Sequence, residues 1–346
     1  MFRRCLIAVV SVPIVVACTP QLNVSSKFLD SRAVAVDPGS FAIATQFDSA
    51  SDFAEGAALV QFGQEFRYID QTGKLSVTPK TEFEAYSPFS EGLAIVKAGD
   101  TYGYINRKGE VAIAPQYETV AKFHEGLAAV RVNYKYGFID KTGAVVIPPQ
   151  YQLASEFSGG LAAVKINDRY GYINAKGQQA IAPKFEDAWR FSENLAPVRI
   201  GKKWGYIDRT GKLVVQPQFD GAFNLAQSMG RVRIGNRWGF VDQTGKIAIA
   251  PKFDFASDFS DGLALVEMNQ KWGYVDKTGR FVIEPKYSFA SSFSNGLAAI
   301  KIKDQWGYID RSGKIAIAPQ FEDAGAFFEE MARVKLSGKW GYIRKP

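Results

Sequence analysis

Apolar and polar residues alternate in short bursts along most of this chain, and the bursts return on a fixed beat. In the copy from Leu195 to Pro217, an apolar run ending at Ile200 meets a polar tip, Gly201-Lys202-Lys203. A second run, Trp204-Gly205-Tyr206-Ile207, meets the tip Asp208-Arg209-Thr210-Gly211, and Leu213-Val214-Val215 follows. Short alternating runs rich in Val, Ile, Tyr and Trp, separated by Gly- and Asn-containing tips, predict the strands of antiparallel hairpins. The aromatic that opens the middle run stands at Tyr102, Tyr136, Tyr170, Trp204, Trp238, Trp272, Trp306 and Trp340, each 34 residues after the last. A decayed copy at Phe66-Arg67-Tyr68-Ile69-Asp70 precedes them and brings the count to nine. A period held this long predicts a repeat array, in which each unit buries its apolar face only against its neighbours. Trp204 and Tyr206 share one face of their strand and Gly205 and Ile207 the other, so the aromatic ladder is expected in the core.

The tips carry turn chemistry. Asp or Asn fills the first place of the second tip, as at Asp140, Asn174 and Asp208, and Gly stands three residues on, at Gly143, Gly177 and Gly211. An Asp there can bond its own backbone, and the glycine can take the positive φ of a bulged hairpin turn. Calcium is not needed to explain this column, because each turn offers one carboxylate and calcium takes six to eight oxygens. The glycine after each aromatic, Gly103 through Gly341, marks a place where another backbone comes close. A proline column, including Pro183, Pro217 and Pro251, is expected to close the following strand. The links beyond it carry an aromatic pair, such as Phe185 and Phe191, and have room for a fourth short strand.

The fold class is therefore all-β, tandem 34-residue repeats of short antiparallel meanders, forming either a β-propeller-like ring or an open β-solenoid superhelix. The array opens with Phe41-Ala42-Ile43-Ala44, a copy of the proline strand, and closes with Trp340-Gly341-Tyr342-Ile343, which lacks one. The opening strand could complete the last unit and hide both edges. The same facts allow nine whole units in an open superhelix.

Lys203-Trp204-Gly205-Tyr206-Ile207-Asp208, with Phe259-Ser260-Asp261-Gly262-Leu263-Ala264 between copies, resembles the bacterial WG, or KWG, β-repeat family. The resemblance implies a binding or structural array and no particular reaction, substrate or cofactor. Departures cluster early: Phe66-Arg67 replaces the aromatic-Gly pair, Thr45 stands in the proline column, and two extra residues between Lys80 and Pro88 stretch one interval to 36. The 221–231 link also drifts, with Asn224-Leu225 and with Met229 in the leucine column.

The first forty residues follow another pattern. Arg3 and Arg4 precede an apolar run from Leu6 to Ala17 that holds Pro13, too short for the roughly 20 residues of a membrane-spanning helix and suited to an export signal. Val15-Val16-Ala17-Cys18 resembles a bacterial lipobox, which implies cleavage before Cys18 and lipidation of its thiol. Residues 1–17 are read as signal peptide, 18–40 as anchor cysteine and polar tether, and 41–346 as the array. With Cys5 and Cys18 the only cysteines, the exported body has no disulfide. The expected location is the cell envelope, at the outer membrane or the periplasmic face.

Candidate chemistry is sparse. His124 is the only histidine and stands in a column otherwise filled by Ser158, Ser192, Ser260 and Ser294, so no zinc or thiol-nucleophile set is expected and no cofactor is assigned. No carboxylate pair is singled out, so the chain is read as a non-enzyme. A hydrolase would need an irregular unit, near Asp220 or in the stretched early repeat. The candidate binding residues are a basic column just before the motif aromatic: Lys135, Arg169, Lys203, Arg237, Lys271 and Lys339. In register they share one rim, while links carrying Glu118, Glu186, Asp220, Asp254 and Glu322 are acidic. The formal charge of +7 falls to about +5 once Arg3 and Arg4 leave, which favours anionic partners by long-range steering. An envelope protein, an anionic glycan or lipid headgroups would suit, and nucleic acid would not be met there. The alternative is that these cations only solubilise hairpin tips. A second reading, a glycan-recognition module, would need exposed aromatics. Trp189, outside the motif, is the best candidate, although the core is its expected place.

Overall fold

A computed structural model describes residues 41–346. Cys18 and the leader and tether assignments lie outside the described residues. Those described form nine four-stranded antiparallel sheets, the blades of a ring. In blade 5 the strands run Asp187–Ala188, Ala196–Ile200, Lys203–Ile207 and Leu213–Phe219. The last sheet settles ring against superhelix. Its outer strand is the chain's opening strand, Ile43–Phe47, paired antiparallel with Lys339–Arg344 so that Ile43 faces Tyr342 and Phe47 faces Trp340. Both open edges of the array vanish into one sheet, which removes the template for edge-to-edge aggregation.

The fourth short strand sits in the link, two residues long in most blades and extended to Gly221–Ala226 and Phe255–Ser260 in blades 6 and 7. The proline column falls elsewhere than expected. Pro217 does not close its strand, which continues to Phe219, because a bulge absorbs it: Trp204 faces Phe219 but Tyr206 faces Val215. Inside the bulge the missing proline N–H interrupts no ladder bond. The glycine beside it is obligatory for the reason expected, since a Cβ on Gly205 would stand 2.3 Å from the Val215 carbonyl oxygen.

Burial follows the strand alternation. Tyr206 packs with Phe219, Leu225, Val232 and Val241 at the interface with blade 6, whereas Ile207 packs with Tyr172, Ile181, Phe191 and Val198 at the interface with blade 4. One such cluster lies between each pair of neighbouring blades, including Ile43, Phe47 and Tyr342 against Phe53, Val60 and Ile69 where the ring closes. No blade has a core of its own, which is the physical content of the repeat. The buried tyrosines also bond across the interface: Tyr206 Oη donates to the Phe223 carbonyl at 2.9 Å and Tyr274 Oη to that of Ser291 at 2.7 Å. Blades 3 and 6 carry Phe138 and Phe240 there, with no hydroxyl to donate.

The turn chemistry is as the sequence predicts. Asp208 Oδ1 accepts from Thr210 N at 2.9 Å, Thr210 Oγ1 at 2.6 Å and Lys212 N at 3.1 Å, with Gly211 at φ +82°. These bonds, the Thr210 hydroxyl foremost, hold the Asp208 carboxyl below the usual carboxylate range. His124 stands where serines elsewhere donate to the next blade, as Ser192 Oγ does to Leu225 O at 2.7 Å, and its Nε2 meets Glu156 Oε2 of blade 4 at 3.0 Å.

Candidate functional site

Strands that alternate up and down put the tips between second and third strands on one rim, together with the links between blades. The basic column opens the third strands, so it lies on this rim, and the acidic links lie there with it. The expected polarisation into basic tips and acidic links is therefore largely neutralised in place. Arg169 bonds Glu186 at 2.5 Å, Lys203 bonds Asp220 at 2.6 Å, and Arg237 and Lys339 pair with Asp254 and Asp48. Each acid stands 17 positions after its cation, counted around the closed ring. Its second task is to cap the next blade's tip: Asp220 Oδ2 accepts from Gly235 N at 2.7 Å and Asp254 Oδ2 from Asn269 N at 2.8 Å. The Lys203 ammonium, and then the Gly235 N–H, hold the Asp220 carboxyl below its ordinary value, and Arg169 does the same to Glu186. The cations Lys141 and Arg209 are on the opposite rim, where Lys141 meets Glu91 at 3.0 Å and Arg209 donates to the Gly159 carbonyl.

Two of the six cations depart from the pattern. Lys135 and Lys271 make no ion pair among the described residues, and the positions 17 residues on are Gln152 and Ser288. Gln152 retains the capping half of the task, its Oε1 accepting from Asp168 N at 2.9 Å. Ser288 does neither. Its hydroxyl donates to the Lys301 carbonyl at 3.3 Å, and the tip of blade 8, Lys303-Asp304, is the one tip among the described residues without a side-chain acceptor on its N–H groups. A cavity of about 800 Å³ opens there between blades 7 and 8, lined by Lys271, Lys286, Lys301, Lys303 and Lys314, by Tyr287 and Phe289, and by one carboxylate, Asp304. Of the six candidate residues, only Lys271 reaches this cavity.

An arc of rings approaches the same place from blade 5. Trp189 stands 5.6 Å from Phe223, Phe223 5.4 Å from Trp238, Trp238 6.0 Å from Phe255 and Phe255 5.5 Å from Trp272, centroid to centroid. Trp189 is 45 % exposed, which overturns its expected place in the core, and Phe255 and Phe289 are 36 % and 56 % exposed. The reason is position: these rings stand on or just after first strands, not among the residues of the second and third strands that face a neighbouring blade. The Arg231 guanidinium lies 4.1 Å over Phe223 and 5.4 Å from Trp238, tied to Asp258 at 2.8 Å. Sequence reasoning missed Phe255, Phe289, Lys286, Lys301 and Lys303. Ser288 was a legible signal, because it interrupts the acidic run of Glu186, Asp220, Asp254 and Glu322.

Among the described residues no group of three or more His, Cys, Asp or Glu side chains could hold a metal ion.

The WG containing repeat matches the chain at nine successive stretches, from residues 39–65 to residues 306–340. The chain belongs to this WG β-repeat family, and its fold is a nine-bladed propeller-like ring. It has no sequence match among curated proteins. Among solved structures, it resembles a eukaryotic initiation factor at 11% identity and a TM-score of 0.58, over 91% of this chain and 93% of that one. The C-terminal WD40 domain of Sif2 is similar at 10% identity and a TM-score of 0.45, over 88% and 98% of the two chains. PorZ, a surface component of the type-IX secretion system of Porphyromonas gingivalis, is similar at 8% identity and a TM-score of 0.35, over 87% of this chain and 52% of that one. At such identities the likeness concerns fold alone.

Proposed function

We propose that this protein is a non-catalytic binding scaffold of the bacterial cell envelope, lipid-anchored through Cys18, whose ring holds an anionic glycan-type polymer across blades 5 to 8. The observation that carries this reading is the aromatic arc from Trp189 to Trp272, exposed at Trp189 and Phe255 and half-buried at Phe223, Trp238 and Trp272, ending beside the lysine-lined cavity. Rings stack on the apolar faces of sugars, and lysines answer the negative groups between them. The other column cations support the same reading by contrast, since Arg169, Lys203, Arg237 and Lys339 are already paired with Glu186, Asp220, Asp254 and Asp48, and of the two that are not paired only Lys271 reaches the cavity. Binding is thus concentrated on one arc rather than spread evenly over nine equivalent tips. Contacts at several blades on one chain of polymer add as avidity.

The test is tryptophan fluorescence of the protein titrated with alginate and with poly(glycerol phosphate), at low and high salt. A saturable change that weakens with salt, and that is lost in a Trp189→Ala, Phe255→Ala double variant, supports the scaffold. An unresponsive protein, or a double variant that binds like wild type, removes the arc from consideration. The anchor has its own readout: mass spectrometry of the exported protein should find a diacylglyceryl group on Cys18, and an unmodified thiol there would end that part of the proposal.

A further inference from the structure

We infer that the cavity between blades 7 and 8 is a site for a phosphate-bearing group, a monoester or diphosphate attached to a larger apolar or sugar body. The inference deepens the scaffold reading and rests on it for the partner's nature, while naming the charged group and the residues that take it.

Three independent features meet in this cavity. The first is uncompensated charge. Lys271 lacks the carboxylate that pairs its counterparts Lys203 and Arg237, because Ser288 stands in the place of Asp220 and Asp254. Lys286, Lys301 and Lys303 join it on the lining, against Asp304 alone. The second is an open backbone donor. In the other blades a Gln, Asp or Glu side chain takes a tip N–H, as Asp220 takes that of Gly235, but Ser288 is turned to the Lys301 carbonyl. The tip at Lys303, with φ +51°, therefore presents its amide beside four ammonium groups. The third is room and shape. A cavity of about 800 Å³ exceeds one phosphate severalfold, and Phe289, 56 % exposed, supplies a ring for whatever carries the phosphate.

Phosphate fits this set better than a carboxylate. Lysines are compact, rotatable point charges without the planar fork that an arginine offers a carboxylate, and they suit a tetrahedral group with oxygens on every side. The second break in the pattern makes no such site. At Lys135 the tip is still capped by Gln152, and the neighbouring Lys165 is paired with Asp168 at 3.2 Å.

The test uses the full chain, inorganic pyrophosphate by calorimetry, and the substitution Ser288→Glu. This change restores the acid that most blade boundaries carry, so folding should survive it, and a thermal melt at or above wild type confirms that it does. Wild type should bind pyrophosphate, Ser288→Glu at least tenfold more weakly, and a Lys271→Ala, Lys303→Ala variant likewise. Gln152→Glu, at the other break, should bind like wild type. Vesicles of phosphatidylcholine with and without phosphatidic acid separate the two sources of such a group. Sedimentation with phosphatidic acid that Ser288→Glu abolishes assigns the cavity to a lipid headgroup, and binding of soluble pyrophosphate alone assigns it to a phosphorylated glycan. No binding of pyrophosphate, or equal binding by wild type and Ser288→Glu, overturns the inference. If alginate still binds wild type and needs Trp189 in that case, the scaffold reading survives without this site. If pyrophosphate binds and the polymers do not, the reverse holds.

Discussion

The boundary between blades 5 and 6 and the boundary between blades 7 and 8 are built from the same parts and end in opposite states. At the first, Lys203 closes on Asp220, and Asp220 closes on the tip at Gly235. At the second, Lys271 faces a serine, the tip at Lys303 is uncapped by any side chain, and a cavity opens. The apolar layers beneath are alike: Tyr206, Phe219 and Leu225 at one, Tyr274, Tyr287 and Phe293 at the other. In a repeat array the core is common to every unit and keeps the ring standing, so a single polar position can be released at one boundary without weakening the frame. The proposed binding site sits where the repeat fails to repeat.

The comparison can be broken most severely in its common part. Gly205→Ala and Gly273→Ala place a Cβ 2.3 Å and 2.6 Å from the carbonyl oxygens of Val215 and Ile283. Each should cost about 3 kcal/mol or more, because backbone in a bulged strand must move, and thermal or urea unfolding should show similar losses at both boundaries. A large difference between them would mean that the two frames are not equivalent. Next, Tyr206→Phe and Tyr274→Phe each remove a hydroxyl bonded across the interface and should each cost about 1 kcal/mol in the same experiment. The natural Phe138 and Phe240 set the bound, since the ring tolerates two blades without that bond.

A smaller effect on stability, but a sharper one on the comparison, comes from Asp220→Ser, which copies the open boundary onto the closed one. It should lower the melting temperature slightly at neutral pH and create a second, weaker pyrophosphate site, read as added stoichiometry in calorimetry. The pH dependence has a definite sign. The Asp220 carboxyl is held below its unfolded value by Lys203, so its contribution is fully present above the ordinary carboxylate range and disappears as pH falls through the depressed value. The gap in melting temperature between wild type and Asp220→Ser should therefore close on acidification to about pH 2. A gap that persists there would place the effect in packing rather than charge. Least of all should Trp189→Ala alter stability, since the ring is 45 % exposed, while its effect on polymer binding should be plain.

Much of the fold was legible because its causes are local or periodic. The bond from Asp208 to its own turn, the positive φ of Gly211 and the close approach at Gly205 are fixed within a few residues, and each is found as the pattern predicts. The site was less legible. The basic column from Lys135 to Lys339 opens the third strands, but a list of cations does not show which of them are already answered. Trp189, outside the motif and the best candidate for exposure, was still expected in the core, and it is exposed because the segment of a first strand, unlike the second and third strands, leaves part of its face uncovered.

The sequence by itself determined the repeat, its strands and turns, and the alternation that sends Tyr206 to one neighbour and Ile207 to the other. The closure of the ring was decided only by the tertiary structure, because the strand Ile43–Phe47 completes a sheet begun almost three hundred residues later. So was the charge state of the rim. A cation in one blade is answered by an acid at the entry to the next, and whether the two meet depends on how blades pack. Only the folded ring could show that Lys271 and Ser288 leave one boundary open.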